Sequence, residues 1–167
     1  MTKVKAGKLS FIITSFDMNT LVKEIVEDLQ TITHSHIIHI AGKVTKLIEG
    51  DKDRVGQVLI NLLTNAIKYS PDSKEVQITL AENGKDCTVA VKDHGIGIEK
   101  KQVTKIFDRF YQVRNGKKVF SGLGMGLYIA KEIAERHGGT LVVESSKGKG
   151  STFTLVIPTK NAAVSND

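Results

Sequence analysis

The pattern of hydrophobic positions changes period several times along the chain, and each change marks an element. Downstream of Asp17, a residue suited to capping a helix, Leu21, Val22, Ile25, Val26 and Leu29 recur at helical spacing and define one buried face. Asp51 opens a second helix, where Val55, Val58, Leu59, Leu62, Leu63, Ala66 and Ile67 form a wide apolar stripe ending near Ser70-Pro71. The width of that stripe makes it the central helix. A third helix carries Leu127, Ile129, Ala130, Ile133 and Ala134 toward the core and stops at Gly138-Gly139.

Between the helices the period shortens to two. Val76 to Leu80 and Thr88 to Val91 alternate around Asn83-Gly84, a strong local signal for a hairpin. His36 to Ile40 and Val44 to Ile48 straddle Gly42 and predict another short hairpin, and Thr140 to Glu144 with Thr152 to Ile157 predict a last strand pair joined by Ser146-Lys147-Gly148-Lys149-Gly150. Three helices and about six strands in mixed order predict an α+β fold. The expected form is a two-layer sandwich with a mixed, largely antiparallel sheet and three helices on one face.

Composition narrows the class. A chain of 167 residues suits one domain and buries about 70% of the surface its unfolded form exposes. No apolar run approaches the ~20 residues that span a bilayer, and the opening MTKVKAGKLS has no apolar signal core. One cysteine, Cys87, cannot close an intrachain disulfide, and the five histidines are not at zinc-ligand spacing, so a cytoplasmic setting is expected. The net charge of +6 comes from scattered lysine pairs without interleaved aromatics. That argues against nucleic acid as a partner and suits a polyanionic small molecule.

Several polar residues interrupt this apolar pattern in a way that suggests chemistry. Asn61, Asn65 and Lys68 fall along one edge of the central helix. An amide oxygen is a hard ligand for Mg²⁺, a lysine supplies a point charge for phosphate, and Tyr69 follows with a ring able to lie near a base or sugar. Taken alone, the same four residues also fit a solvated helix end. Asp93 follows a strand that reads as buried, where a carboxylate needs a partner such as an exocyclic amine, and Gly95 and Gly97 allow backbone to approach a base closely. Gly122, Gly124 and Gly126 lead into the third helix, an arrangement that serves either an anion site or a flexible turn.

Four segments in order carry a family resemblance: Asn61-Leu62-Leu63-Thr64-Asn65-Ala66-Ile67-Lys68-Tyr69, Asp93-His94-Gly95-Ile96-Gly97-Ile98, Ile106-Phe107-Asp108-Arg109-Phe110-Tyr111 and Gly122-Leu123-Gly124-Met125-Gly126-Leu127. With the closing Gly148-Lys149-Gly150-Ser151-Thr152-Phe153, they closely resemble the N, G1, F and G2 boxes of sensor histidine kinases. The catalytic domain of that family has the Bergerat ATP-binding fold shared with Hsp90, DNA gyrase and MutL. The resemblance covers about Phe16 to Pro158. It implies that Asn65 contacts Mg²⁺, that Asp93 accepts from the adenine amine, and that Ile98, Leu123, Met125 and Leu127 join the box residues around ATP. It further implies that Val113 to Ser121 is a mobile lid with Phe107 and Phe110 as its apolar hinge, and that Thr152 helps hold Asp93 and adenine through water. Many relatives carry Arg where this chain has Gln112, which leaves phosphate charge to Lys68, Arg109, Arg114 or the lid lysines.

The resemblance also orders the possible reactions. Hydrolytic relatives place a Glu four residues before the Mg²⁺-binding Asn, and this chain has Asn61 there. An amide cannot take a proton from water, so a kinase is expected over an ATPase. The acceptor histidine of such kinases lies on a dimerising hairpin, and none of His34, His36, His39, His94 or His137 has that setting. Residues 1–15 therefore read as the end of that hairpin and a linker, 16–158 as the catalytic domain and 159–167 as a tail. The expected partners are ATP or ADP, the kinase's own dimerisation and histidine phosphotransfer domain, and a response-regulator receiver domain. The isolated domain is expected to be monomeric, and the parent protein is compatible with an inner-membrane anchor. The competing readings are a nucleotide-sensing degenerate kinase module and, within the same fold, an ATPase or an anti-sigma factor serine kinase.

Overall fold

The computed structural model describes residues 10–115, 118–119 and 124–160. Its elements run β1 (Thr14–Phe16), α1 (Met18–Ile32), β2 (Ile37–Gly42), β3 (Ile48–Gly50), α2 (Lys52–Lys68), β4 (Glu75–Asn83), β5 (Asp86–Asp93), α3 (Lys100–Val103), β6 (Arg114–Asn115), β7 (Lys118–Val119), α4 (Gly126–Arg136), β8 (Thr140–Ser146) and β9 (Gly150–Pro158). Five strands form the main sheet in the order β2-β4-β5-β9-β8; β2 runs parallel to β4 and the other neighbours are antiparallel. This is the expected mixed α+β sandwich.

The helices begin where capping chemistry places them. The Asp17 carboxylate accepts from the Asn19 N–H at 2.8 Å, and that of Asp51 accepts from the Arg54 N–H at 3.1 Å. α2 is the middle of the helical layer and buries Val55, Val58, Leu59, Leu62, Leu63 and Ala66 between α1, α4 and the sheet. Along β5 the buried residues are Cys87, Val89, Val91 and Asp93, so the strand's apolar alternation ends in a carboxylate on the helix side of the sheet. That ending positions the site.

One expected element is corrected. His36 to Ile40 does not pair with Val44 to Ile48: β2 pairs with β4, from Ile37↔Glu75 to Gly42↔Leu80, and β3 pairs with β1. Gly42, at φ +78°, lies so close to the Leu80 carbonyl that no Cβ fits, and there the chain leaves the sheet. Side chains then take up the backbone groups that follow. Asn19 Nδ2 donates to the Val44 carbonyl at 2.6 Å and Asn19 Oδ1 accepts from the Val44 N–H at 2.9 Å, while Glu82 accepts from the N–H of Lys46 at 2.7 Å. Among the described residues there is also a fourth, short helix, α3, and no helix is long and apolar enough to cross a membrane.

Candidate nucleotide site

A cleft opens between α2, the loop after β5 and the start of α4, and it has two lobes. The first, of about 520 Å³, is lined by Ala66, Asp93, Ile96, Gly97, Ile98, Val113, Ser151 and Phe153. The second, of about 720 Å³, is lined by Asn61, Lys68, Gln112, Gly124, Met125 and Gly126. Asn65, Tyr69, Ile106, Tyr111 and Leu127 line both and mark the passage between them. The first lobe is largely apolar, with one carboxylate; the second is more polar and holds Lys68.

Asp93 is 5% exposed, and its Oδ1 accepts from the Gly95 N–H at 2.9 Å and the Ser151 N–H at 3.3 Å. Burial pushes its carboxyl above the usual range, and the two N–H donors pull it back only in part. The loop beyond it is clamped from both sides. The Ile96 N–H donates to the Tyr69 carbonyl at 3.1 Å at the end of α2, and the Gly148 N–H donates to the Ile96 carbonyl at 2.7 Å from the β8–β9 turn. Gly97 has φ +66°, and a Cβ there would collide with the backbone of Ser146 and Lys147. Two glycines, Gly95 against Tyr69 and Gly97 against Ser146, let the loop form this wall.

In the polar lobe, α4 starts at Gly126 with Met125 at its N-cap and no capping side chain, and Gly124 to Leu127 line the lobe at this N-terminal end. Asn61 packs directly on Gly126; a methyl there would come within 2.6 Å of the Asn61 Nδ2. The carboxamide thus spaces α4 from α2. Burial lowers the Lys68 ammonium pKa, and its Nζ stands 5.1 Å from the centre of the Tyr69 ring, whose phenol burial pushes up.

The expected site residues therefore separate into groups. Asn61, Asn65, Lys68, Tyr69, Asp93, Gly97, Ile98, Gly124, Met125, Gly126 and Leu127 line the cleft, and Gly95 braces it from behind. Gly122 and Leu123 lie outside the described residues. Phe107 packs on Phe153 edge to face at 6.5 Å, whereas Phe110 is 70% exposed with φ 62° and makes no such ring contact among the described residues. Its N–H donates to the Gly124 carbonyl at 2.9 Å, and that bond turns the ring outward. Arg109 lines neither lobe; it donates to the Tyr128 hydroxyl at 2.7 Å with its guanidinium 4.7 Å over that ring. Of the expected mobile lid, the structure describes Val113, which lines the first lobe, and the ladder of Arg114–Asn115 with Lys118–Val119; residues 116, 117, 120 and 121 lie outside the described residues.

Thr152 is on the other face of β9, opposite Lys92 and Glu144, and Ser151 lies on the cleft side. The alternation Phe153, Leu155, Ile157 carries the signal for this, since Ser151 shares their face. Ile106, Tyr111, Val113, Ile96 and Phe153 also complete the first lobe, and only the topology brings them together.

This architecture is that of a known class. Residues 50–161 match the family described as Histidine kinase-, DNA gyrase B-, and HSP90-like ATPase, and the chain belongs to that family. Within it, the chain is similar to sensor histidine kinase WalK of Bacillus subtilis (strain 168), at 44% identity over 116 residues, covering 68% of this chain and 19% of that protein. Among solved structures it resembles the catalytic domain of histidine kinase ThkA, with TM-score 0.73 and 27% identity over 89% of this chain and 96% of that one. It also resembles full-length ShkA in complex with AMPPNP, with TM-score 0.77 and 26% identity over 92% of this chain and 32% of that one. The chain spans about a fifth of the length of the curated relatives it matches.

Proposed function

We propose that this chain holds Mg-ATP in the two-lobed cleft and donates its γ-phosphoryl group to a histidine on a separate dimerising hairpin. The observation that carries the reading is the division of the cleft: a buried carboxylate in a largely apolar lobe, joined through Asn65 to a lobe lined by Lys68 and the start of α4, which has no capping side chain. Adenine suits the first, with its amine on Asp93, and the phosphates suit the second. AMPPNP, bound to the related ShkA, is a nucleotide of this kind.

Asn65 would hold Mg²⁺ on this reading, since it lines both lobes and an amide oxygen is a hard ligand. Among the described residues no group of three His, Cys, Asp or Glu side chains could hold a metal, so an ion here would take its other ligands from phosphate oxygens and water. When bound, such an ion would supply neutralisation of phosphate charge. The chain's own residues do the rest. Lys68 and the α4 N–H groups hold the phosphates, Asp93 fixes the base, and Asn61 keeps α4 at its distance from α2. In the transfer the bond from the γ-phosphorus to its bridging oxygen breaks, a bond to an imidazole nitrogen forms, and ADP leaves. The residue at the position of the hydrolytic base is an amide, Asn61, packed on Gly126, which supports transfer over hydrolysis.

On this reading the catalytic domain extends a little beyond the expected 16–158: Thr14 and Ser15 already pair with β3, and Thr159, 2% exposed, donates its N–H to the Lys85 carbonyl at 2.8 Å. The monomeric isolated domain works on the cytoplasmic side, and a receiver domain takes the phosphoryl group onward. Calorimetric titration tests the binding step: ATP and ADP should bind and GTP should not, and equal affinity for ATP and GTP would overturn it.

A further inference from the structure

Ser145 lies one strand behind the cleft and is absent from every motif box, yet its hydroxyl sits at the junction of three segments that form the base-binding lobe. Its Oγ is 2.8 Å from the Ile98 nitrogen, 3.0 Å from the Gly150 carbonyl oxygen and 2.7 Å from the Ser151 Oγ. The polarity of two of these contacts is fixed by chemistry. The Ile98 N–H can only donate, and the Gly150 carbonyl can only accept. Ser145 receives one bond from Ile98, and we infer that its single proton goes to Gly150, an acceptor that has nothing to donate in return. In that arrangement the remaining contact, to Ser151, is a bond that Ser151 donates into the second Ser145 lone pair.

This arrangement satisfies Ser145 completely, with one bond given and two received. It also determines what Ser151 shows to the cleft. Ser151 is 7% exposed and lines the lobe beside Asp93, to which its own N–H donates at 3.3 Å. With its hydroxyl proton turned back toward Ser145, the Ser151 oxygen faces the lobe with lone pairs only. Asp93, when ionised, does the same. The floor of the lobe is then a pair of acceptors with no donor between them.

The geometry points to Ser145 as a positioning residue for base selectivity, acting through Ser151: by holding the Ser151 proton it keeps the floor acceptor-only. Such a floor takes the amine edge of adenine, directly or through a water, and repels the carbonyl edge of hypoxanthine or guanine, whose oxygen would meet two further acceptors. Loss of Ser145 frees the Ser151 proton to turn into the lobe and donate to that carbonyl. The cost falls on discrimination and not only on binding. This inference rests on the nucleotide reading above.

The test is a calorimetric comparison of ADP with IDP, which differ at this edge of the base, for wild type, Ser145→Ala, Ser151→Ala and the double variant. Ser145→Ala should narrow the ADP-to-IDP affinity ratio about tenfold, the worth of one hydrogen bond in a buried site. Ser145→Thr, which restores the hydroxyl in a strand position that tolerates branching, should return the ratio to the wild-type value. Adding Ser145→Ala to Ser151→Ala should leave the ratio where Ser151→Ala alone puts it. If Ser145→Ala folds poorly, Ser145→Cys, close in size and a weak hydrogen-bonding group, should narrow the ratio in the same direction. A ratio unchanged in both the Ala and Cys variants, with the two affinities falling together, overturns the inference while leaving nucleotide binding intact. A wild-type protein that binds neither nucleotide overturns the function reading and this inference with it.

Discussion

The carboxylate of Asp93 and the backbone N–H of Ser151 meet at 3.3 Å, which ties the end of β5 to the start of β9 under the base-binding lobe. The carboxylate is buried at that junction, and the protein stabilises its charge only partly. Burial raises its pKa, so the folded protein binds the Asp93 proton more readily than the unfolded chain does. The stability from this group is full below the unfolded carboxylate range and is lost as pH rises through the folded value. At neutral pH the ionised Asp93 thus costs the empty domain stability.

Asp93→Asn should therefore leave the melting temperature of the nucleotide-free protein at pH 7 equal to or above that of wild type, while ADP affinity falls by roughly 10- to 100-fold, the worth of a hydrogen bond to a charged acceptor. The difference in melting temperature should shrink as the pH is lowered toward the ordinary carboxylate range. Parallel melts and titrations check this. A variant that melts far below wild type at pH 7 would make Asp93 a structural residue.

Asn65 and Lys68 divide the work on the phosphates. Asn65→Ala should weaken ATP binding in the presence of Mg²⁺ more than ADP binding without it, because the base lobe remains intact. Lys68→Ala should weaken triphosphate binding in either case, and by less at high salt. Burial lowers the Lys68 pKa, so wild-type affinity for ATP should fall at alkaline pH sooner than an ordinary lysine would cause, and the Lys68→Ala variant should not show that fall. Titrations across pH and salt separate these effects.

Much of the architecture is legible from sequence because its signals are local. Asp17 and Asp51 cap helices whose stripes follow directly, and the turn after Asn83 joins β4 to β5 by pairs that run from Val76↔Asp93 to Asn83↔Asp86. The hairpin expected around Gly42 fails for a non-local reason: β2 finds its partner in β4, beyond the whole of α2, and the bonds of the following segment go to Asn19 and Glu82. The motif boxes place most of the cleft, but they do not reveal which face of β9 meets it. Thr152 and Ser151 differ by one position, and only the alternation with Phe153 distinguishes them. Phe110 is aromatic and sits in a motif, yet the backbone turn enforced against Gly124 sends it to solvent.

The Asn19 clamp on Val44 gives a test of the fold away from the site. Asn19→Ala removes both bonds of the clamp, and it should cost about 1–3 kcal/mol of stability by leaving backbone groups of a part-buried segment unpaired. Denaturant unfolding should show the loss, and ADP affinity under native conditions should be unchanged.

Cys87 faces the core of β5, 1% exposed, with burial pushing its thiol up to about 12. It should not react with a thiol reagent at pH 8 in the folded protein and should react at once in denaturant. Its reaction rate under native conditions then reports opening of the sheet, and nucleotide should slow it.

The most direct test of the account is phosphoryl transfer from γ-labelled ATP to the histidine-bearing hairpin of a cognate kinase, supplied as a separate protein already shown competent with another catalytic domain. Alone, this chain should neither label itself nor hydrolyse ATP quickly, because Asn61 cannot serve as a base. With the hairpin it should label the partner slowly, since separation removes the effective concentration that linkage provides. The product should be labile in acid and stable in base, as a phosphoramidate is. An acid-stable label on a serine, or rapid hydrolysis without any acceptor, would contradict the account.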